Sequence, residues 1–377
     1  MAADARVVVV GAGVVGATAA WRLARRGVDV VLVESGEVGA ATSAGAGIVQ
    51  PFRPLADGPW GACSDLAAQR WPGLVAELAQ DAGQDPGYAR VGGLTLGSDE
   101  VVLAELAAGL EAGRRPRGWT ALGDVSVLPA GAAAHRFPGL RSDLPALWTG
   151  GTGRVDGRRF RDTAVVAAER AGARRRTGRA GLAVRDGAVR GVHVDGELLG
   201  ADVVVAAAGA WTAQLCRPLG VELALGPMRG QIVHLQLPGA PGTGTWPTVM
   251  TTGAEFGHHY VLAFPGGRVV VGATREADAG FDHRVTAAGQ RQVLDAALTL
   301  VPGLADATVL ETRVGFRPVT PDGLPLLGAV PGVEGLVVAT GLGANGLTYG
   351  PVTGELAADL ATGGAAPFDL TPFRPDR

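Results

Sequence analysis

Residues 6–36 read RVVVVGAGVVGATAAWRLARRGVDVVLVESG, a stretch with a clear structural pattern. The four valines after Arg6 predict a strand buried on both faces, as in a parallel sheet. The glycines that follow predict a tight turn into a helix over residues 14–26, which has arginines near its C-terminal end and Gly27 after it. A second strand over residues 28–33 ends in Glu34, so the stretch predicts a βαβ unit.

The glycines of this turn have the spacing of the dinucleotide-binding fingerprint. Gly11 permits the tight turn, Gly13 lets the backbone approach a pyrophosphate, and Gly16 packs the helix on the strand. In a chain with 60 glycines the spacing also occurs by chance, but here it follows a strand and opens a helix. Glu34 stands where a carboxylate binds ribose hydroxyls. The unit is therefore predicted to bind a dinucleotide, with NAD and FAD both open at this point.

Composition excludes several classes of function. The chain has 377 residues and a net charge of −3, which gives no electrostatic reason to expect a nucleic-acid partner. All 33 basic residues are arginine, so the chain has neither a Schiff-base lysine nor the lysine of a P-loop. The two cysteines and six histidines show no metal-ligand spacing and no disulfide framework. The apolar residues 7–20 are too few to span a bilayer, so we expect no transmembrane segment and a cytoplasmic location.

Similar patterns occur in the middle of the chain and near its C-terminal end. Residues 202–208 predict another buried strand, which leads into Gly209, and residues 98–112 predict a helix. Residues 258–274, HHYVLAFPGGRVVVGAT, predict an antiparallel hairpin that turns at 265–267. Residues 335–340 predict a strand that passes through a second GxGxxG turn at 341–346 into a helix over about 347–361.

Two more segments make the pattern specific. Residues 41–48 read ATSAGAGI, a small-residue loop just after Glu34, and residues 315–328 read GFRPVTPDGLPLLG. With the two glycine turns, the RGQ at 229–231 and the YVL of the hairpin, the chain resembles the glycine oxidase and D-amino-acid dehydrogenase branch of the D-amino-acid oxidase-like FAD-dependent oxidoreductases. The resemblance covers the first 50 and last 60 residues and these central motifs, and is loose over residues 51–200.

The resemblance implies an α/β fold in two parts. A discontinuous, Rossmann-like FAD-binding domain of the GR2 type is expected to contain an inserted substrate domain built on an antiparallel sheet. We expect the FAD-binding domain to take residues 1–50, 150–220 and 312–377. Residues 51–149 and 221–311 are expected to form the substrate domain and interdomain helices. The second glycine turn disfavours a plain NAD-dependent dehydrogenase.

The resemblance also assigns cofactor-binding roles to both glycine turns, the end of the Glu34 strand and the small-residue loop. The residues so assigned are Gly11, Gly13, Val14, Val15, Gly16, Glu34, Ser35, Thr42, Ser43, Gly47, Ile48, Val49, Gly209, Leu342, Gly343, Ala344, Asn345, Gly346, Leu347 and Thr348.

Arg317 and Tyr260 are the residues that the resemblance assigns to catalysis. Arg317, within GFRP, matches an arginine that binds the substrate carboxylate, and a guanidinium can hold a carboxylate bidentately and so orient the Cα–H toward the flavin. Tyr260 matches a hairpin tyrosine that supports the carboxylate or covers the ring. Arg53 is a weaker candidate for a second anion contact, the alternative being a solvated loop arginine.

The activity that the resemblance implies is oxidative deamination of a small amino acid, in the first place a D-amino acid. A hydride would pass from Cα to flavin N5, giving an imino acid and then a keto acid, with O2, a quinone or another carrier as electron acceptor. Oxidation of a sarcosine- or proline-like secondary amine and a non-catalytic flavoprotein of the same fold are the alternatives, and a homo-oligomer is compatible with each.

This chain departs from its relatives at two points. Glycine oxidases carry a histidine and an arginine in the C-terminal glycine turn where this chain has Leu342 and Ala344, which argues against glycine itself as substrate. The C-terminal cysteine that attaches flavin in sarcosine oxidases is absent, as is their lysine near the ring. The FAD is therefore expected to be noncovalent.

Overall fold

The computed structural model describes residues 5–54, 58–239, 241–253 and 257–377, which form strands and helices arranged around four sheets. The strands are β1 (Arg6–Val10), β2 (Asp29–Glu34), β3 (Ile48–Val49), β4 (Tyr88–Arg90), β5 (Gly93–Leu96), β6 (Val125–Leu128), β7 (Ala146–Thr149), β8 (Gly153–Val155), β9 (Arg174–Thr177), β10 (Ala180–Arg185), β11 (Ala188–Val194), β12 (Glu197–Gly200), β13 (Val203–Ala206), β14 (Gly226–Gln236), β15 (Thr248–Thr251), β16 (Tyr260–Ala263), β17 (Arg268–Gly272), β18 (Thr308–Val319), β19 (Leu326–Ala329) and β20 (Leu336–Thr340). The helices are α1 (Val14–Arg25), α2 (Ala41–Ala44), α3 (Pro59–Ala82), α4 (Glu100–Arg114), α5 (Ala132–Arg136), α6 (Gly157–Arg170), α7 (Thr212–Cys216), α8 (Ala287–Leu300) and α9 (Gly346–Ala361).

A six-stranded sheet in the order β19-β20-β13-β1-β2-β9 is parallel except for β19. The valine run forms β1 near its centre. Because successive side chains of a strand point to opposite faces, Val7 and Val9 pack against α1, α3, α6 and α9, whereas Val8 and Val10 pack against β11. Burial on both faces explains why this strand has no polar alternation, and it confirms the predicted βαβ unit.

The second large sheet has eight strands in the order β18-β14-β17-β16-β15-β5-β7-β6. All its neighbours are antiparallel except β15 and β5. The predicted hairpin is confirmed, with Val261 of β16 opposite Val271 of β17 and a left-handed turn residue, Gly266, at φ 79°. Helix α8 covers one face of this sheet.

The large sheets draw on separate parts of the chain. The six-stranded sheet takes strands from residues 6–34, 174–206 and 326–340, and the eight-stranded sheet takes strands from 93–149 and 226–319. The predicted boundary at residue 312 falls inside β18, and the domain boundaries stay a prediction. Over the described ranges, no helix is long and apolar enough to cross a membrane.

The edge strand β9 and the small sheet β10-β11-β12 were not predicted from the sequence. Strand β9 reads RRRT with every residue exposed, so it has neither an apolar run nor polar alternation. It nevertheless pairs in parallel with β2 and extends the six-stranded sheet. The strand is therefore defined by its backbone pairing, which the polarity of its side chains does not indicate.

Candidate active site

One long cleft runs from Glu34, at the end of β2, to Arg317 on β18. One wall consists of the carboxyl ends of β1, β2, β13 and β20, where ligands bind in open parallel sheets, and the other is built by β14, β16 and β18. Most of the predicted site residues line it: Gly11, Gly13, Val14, Val15, Glu34, Ser35, Thr42, Gly47, Ile48, Gly209, Tyr260, Arg317, Leu342, Gly343, Ala344, Gly346 and Leu347. Five others, Gly16, Ser43, Val49, Asn345 and Thr348, are not part of the lining.

The first glycine turn has no room for side chains. Gly11 has φ 100°, and a Cβ on it would lie 2.4 Å from the carbonyl oxygen of Ala207. A Cβ on Gly16 would lie 1.8 Å from the carbonyl oxygen of Gly11, so Gly16 supports the turn from behind. Its predicted packing role agrees with this position, although it does not face the cleft.

Glu34 connects two backbone turns at one end of the cleft. Its Oε2 accepts a hydrogen bond from the Ala12 N–H at 2.7 Å, and its Oε1 accepts one from the Gly36 N–H at 3.2 Å. Glu37 and Arg179, which form an ion pair, line the same end. This end of the cleft is polar and presents a carboxylate that is already fixed by the backbone.

The small-residue loop lies against the start of α1. The Val14 N–H donates to Thr42 Oγ1 at 3.0 Å, and a Cβ on Gly13 would lie 3.3 Å from that oxygen. Gly47 has φ 111°, and a Cβ there would lie 2.1 Å from the Val155 carbonyl oxygen. The loop therefore approaches the cleft with backbone where a larger residue would not fit.

Thr348 joins this loop to the first turn of α9, an arrangement we call the Thr348 bridge. Its Oγ1 donates to the Ile48 carbonyl at 3.1 Å and accepts from the Gln50 N–H at 3.3 Å. The Trp71 indole N–H donates to the Thr348 carbonyl at 2.6 Å. Thr348 thus positions two walls of the cleft without facing it. Ser43 is similarly placed, since its carbonyl accepts a hydrogen bond from Arg158 at 3.1 Å.

At the opposite end, the Arg317 guanidinium lies across Gly230 of β14. A Cβ on Gly230 would lie 2.4 Å from Nη1 and 2.5 Å from Cζ and Nη2. Nη1 donates to the Thr274 carbonyl at 3.0 Å, which fixes one edge of the half-buried guanidinium. A side chain at position 230 would therefore displace the guanidinium from its present place.

Tyr260 lies beside Arg317, over Gly272 of the hairpin. A Cβ on Gly272 would lie 2.7 Å from the Tyr260 hydroxyl. Burial raises the pKa of Tyr260, and the positive charges of Arg317 and Arg275 only partly offset that rise. The hydroxyl is therefore protonated at neutral pH and can donate a hydrogen bond into the cleft.

Arg275 also lines this end of the cleft, a position that sequence analysis missed. Partial burial lowers the pKa of Arg275, and the nearby charge of Arg317 lowers it further. The sequence feature that could have indicated Arg275 is its position just after the hairpin strand that lies beside Tyr260. Arg53, the residue predicted as a second anion contact, is not in the lining; its guanidinium lies 5.3 Å from the ring centre of Trp60.

A polar network braces the segment that carries Arg275. Arg229, itself only 6% exposed, forms ion pairs with Glu276 at 2.5 Å and Asp282 at 2.8 Å. Glu276 also accepts hydrogen bonds from Gln231 at 2.8 Å and Thr274 at 2.6 Å. The first and last residues of the RGQ motif therefore act through this brace, while Gly230 acts through Arg317.

The cleft fits a flavin dinucleotide. Helices α1 and α9 both begin at the cleft, so the positive ends of two helix dipoles face the ligand space. Neither helix has a side-chain cap from its N-cap residue, which is Gly13 in α1 and Asn345 in α9. Between the two polar ends the walls are mostly Gly and Ala, which leave room for a long, flat ligand. Those small residues are Ala40, Ala41, Ala44, Gly45, Ala46, Gly47, Ala207, Ala208, Gly209, Ala210, Ala339, Gly341, Gly343, Ala344 and Gly346.

Comparison with known proteins agrees with this geometry. Residues 6–360 match the family model described as FAD dependent oxidoreductase (DAO). The chain is 40% identical to the uncharacterized oxidoreductase YurR of Bacillus subtilis and 32% identical to glycine oxidase of Pseudomonas putida, with 98% of each chain covered in both cases. The crystal structure of iminodiacetate oxidase from Chelativorans sp. BNC1 superposes with a TM-score of 0.91 at 42% identity, over 98% of this chain and 99% of that one. The protein therefore belongs to the DAO family of FAD-dependent oxidoreductases that act on amino acids or secondary amines, as its motifs predicted.

Proposed function

We propose that the protein oxidises the carbon–nitrogen bond next to the carboxylate of a small amino acid, with noncovalent FAD as the hydride acceptor. The observation that carries the proposal is the position of Arg317 and Tyr260. Both lie at the end of the dinucleotide cleft opposite Glu34, where a guanidinium and a protonated hydroxyl converge.

The proposed cofactor contacts follow the cleft from end to end. Glu34 would accept hydrogen bonds from the ribose hydroxyls, and the first turn of α1 would face the pyrophosphate. Gly47 and Ile48 on one side, and the residues from Leu342 to Leu347 on the other, would flank the flavin ring. When bound, FAD supplies a two-electron acceptor for the hydride that leaves the substrate.

Arg317 and Tyr260 would orient the substrate. Because Nη1 of Arg317 is already held by the Thr274 carbonyl, the guanidinium has little freedom, and its remaining N–H groups can bind a carboxylate together with the Tyr260 hydroxyl. Fixing the carboxylate directs the adjacent C–H bond toward the hydride acceptor. The contribution of these residues is orientation.

The described lining offers no general base at this end. Its carboxylates are Glu34 and Glu37, both at the opposite end. The amine must therefore react in its neutral form, after its proton has left to solvent. The charges of Arg317 and Arg275 favour that form, because cations disfavour a neighbouring ammonium. Loss of the hydride from the neutral amine leaves an iminium ion. Water then hydrolyses it to a keto acid, with release of ammonia from a primary amine or of the smaller amine from a secondary one.

Two substrate classes share this chemistry. A small D-amino acid is the class that the sequence motifs imply, and the 32% identity to a glycine oxidase supports small substrates. A secondary amine with an N-carboxymethyl group is the second candidate, favoured by the similarity to iminodiacetate oxidase at 42% identity. Anaerobic bleaching of the flavin by D-amino acids, L-amino acids and N-methyl amino acids distinguishes the classes. Oxygen uptake compared with dye reduction then separates an oxidase from a dehydrogenase.

Substitution of Arg317 tests the proposal directly. Arg317→Ala should lower kcat/KM for the best substrate by about 30- to 1000-fold, equivalent to roughly 2–4 kcal/mol, while FAD stays bound. Arg317→Lys keeps the charge but loses the planar fork, so it should also be impaired. Arg291→Ala removes an equal charge from an exposed position on α8 and serves as the control.

The comparison with an amine that has no carboxylate sharpens this test. Such a substrate does not use Arg317, so Arg317→Ala should lower its kcat/KM by a smaller factor. An equal loss for both substrates would make Arg317 structural. If no compound in the panel bleaches the flavin, the protein is a flavoprotein without this catalytic activity.

A further inference from the structure

Two arginines face the same end of the cleft, and neither forms an ion pair with a carboxylate of the described residues. Arg275 and Arg317 both line it, and no ion pair within the described parts of the chain involves either residue. The described contacts of Arg317 are with neutral groups, the backbone carbonyl of Thr274 and the hydroxyl of Tyr260. Two positive charges are thus concentrated around Tyr260 in a wall that is otherwise largely apolar.

The carboxylates that the structure describes in the segment after Arg275 are held by other side chains. Glu276, adjacent to Arg275 in the sequence, is engaged by Arg229, Gln231 and Thr274, and Asp282 is also paired with Arg229. Among the described residues, Arg229 therefore has two carboxylate partners, whereas Arg275 and Arg317 have none. This distribution keeps both cleft charges available for a ligand.

The two charges also act on each other. Arg317 lowers the pKa of Arg275, as expected for like charges close together, and Tyr260 partly compensates. A ligand with one carboxylate would neutralise one guanidinium and leave the second uncompensated. A ligand with two carboxylates would neutralise both.

We propose that Arg275 binds a second carboxylate and that the preferred substrate is therefore an amine with two carboxylate groups. Arg317 and Tyr260 hold the carboxylate next to the carbon that is oxidised, and Arg275 holds the distal one. Iminodiacetate, D-aspartate and D-glutamate have this chemistry, whereas sarcosine and D-alanine have one carboxylate. This inference rests on the proposed function, of which it names the substrate class.

Binding of compounds that cannot be oxidised provides a test that does not depend on turnover. Diglycolate has an ether oxygen in place of the amine of iminodiacetate, and methoxyacetate is its counterpart with one carboxylate. Titrated into the FAD-loaded protein and followed by the flavin absorbance, diglycolate should bind at least about tenfold more tightly than methoxyacetate. In Arg275→Gln that ratio should fall to about threefold or less, and in Arg291→Gln, the control at an exposed position, it should be unchanged.

Turnover gives the second measurement. The fall in kcat/KM caused by Arg275→Gln should be at least about tenfold greater for iminodiacetate and D-aspartate than for sarcosine and D-alanine. Arg275→Lys should recover part of the difference, since it restores the charge without the fork. Both patterns would support a specific contact between Arg275 and the distal carboxylate.

Failure of this inference is distinguishable from failure of the proposed function. Equal losses for both groups of substrates, with an unchanged diglycolate ratio, would overturn the role of Arg275 while the oxidation chemistry stands. Binding of diglycolate that depends on Arg275, with no bleaching by any amine, would support the dicarboxylate site and overturn the oxidation. If diglycolate binding does not depend on Arg275 and no amine bleaches the flavin, both the role of Arg275 and the oxidation chemistry are overturned.

Discussion

Glu34 contacts two backbone N–H groups and also faces the cleft. Glu34→Gln keeps one acceptor oxygen, and Glu34→Ala removes both, so FAD affinity should fall in that order. The loss for the alanine variant should be roughly 1.5–3 kcal/mol, the value of a charged acceptor, and greater if the Ala12 and Gly36 turns move. Equilibrium binding of FAD to the apoprotein of each variant measures this loss of affinity.

Glu37→Gln is the matched control for this prediction. It removes the same charge from the same end of the cleft, but Glu37 pairs with Arg179, whose side chain is mostly exposed. Its effect on FAD affinity should be clearly smaller than that of Glu34→Gln. Equal effects would indicate that only the net charge of this end matters.

His234 makes stability depend on pH. Burial, followed by the charges of Arg313 and Arg268, lowers its pKa to about 4 from the usual 6.5. Between pH 6.5 and pH 4, His234 binds a proton in the unfolded chain but not in the folded one. The stabilising contribution of its neutral form is therefore fully present above pH 6.5 and is lost as the pH decreases toward 4. At pH 4.5 the loss relative to pH 7 should be roughly 2–3 kcal/mol.

His234→Gln should remove this part of the acid sensitivity. Urea unfolding of the variant and of the natural protein at pH 7 and pH 4.5 gives the comparison. His193→Gln, at an exposed position on β11, should leave the pH dependence as it is. A variant at 234 with an unaltered pH dependence would place the acid sensitivity in other groups.

Arg317 and Arg275 illustrate how far single residues are predictable. Arg317 was found because GFRP is a recognisable local motif, although its role as a carboxylate contact stays a proposal. Arg275 has no such motif. Its position in the cleft depends on Arg229 engaging Glu276, and that pairing joins strand β14 to the segment after β17. Contacts between distant segments of this kind leave no local pattern.

Among the elements, the pair β14 and β18 controls the position of Arg317. Gly230→Ala would place a methyl group 2.4 Å from Nη1, so the guanidinium would have to move. We expect KM for the carboxylate substrate to rise by roughly tenfold or more while FAD affinity is unchanged. Gly226→Ala, in the same strand with open space around its Cβ, is the control.

Elements with one strong pattern were predictable, and those defined by pairing alone were not. Helix α9 begins at Gly346 and ends at Ala361, within a residue of its predicted bounds, because a glycine turn marks its start. Strand β9 is defined by its pairing with β2 and carries three arginines. Of the two catalytic candidates, Tyr260 lies on β16, whose pairing with β17 the hairpin motif predicted. Arg317 lies on β18, whose pairing with β14 it did not predict.

At the scale of the whole molecule, no thiol is available to attach the flavin. Cys63 and Cys216 are buried away from the cleft lining, and burial raises the pKa of both thiols to about 12. Acid precipitation should therefore release yellow FAD into the supernatant, where chromatography identifies it. Flavin that stays with the pellet, or FMN in the supernatant, would contradict a noncovalent FAD.

The Thr348 bridge has a consequence for the timing of cofactor loading during synthesis. It joins residues 48 and 50 to residue 348, about 300 positions later, so the ribosome releases the second segment well after the first. The nascent βαβ unit can form early, because domains fold as units from the N-terminal side. The wall on the α9 side is still missing then, so tight retention of FAD must wait until residue 348 has emerged.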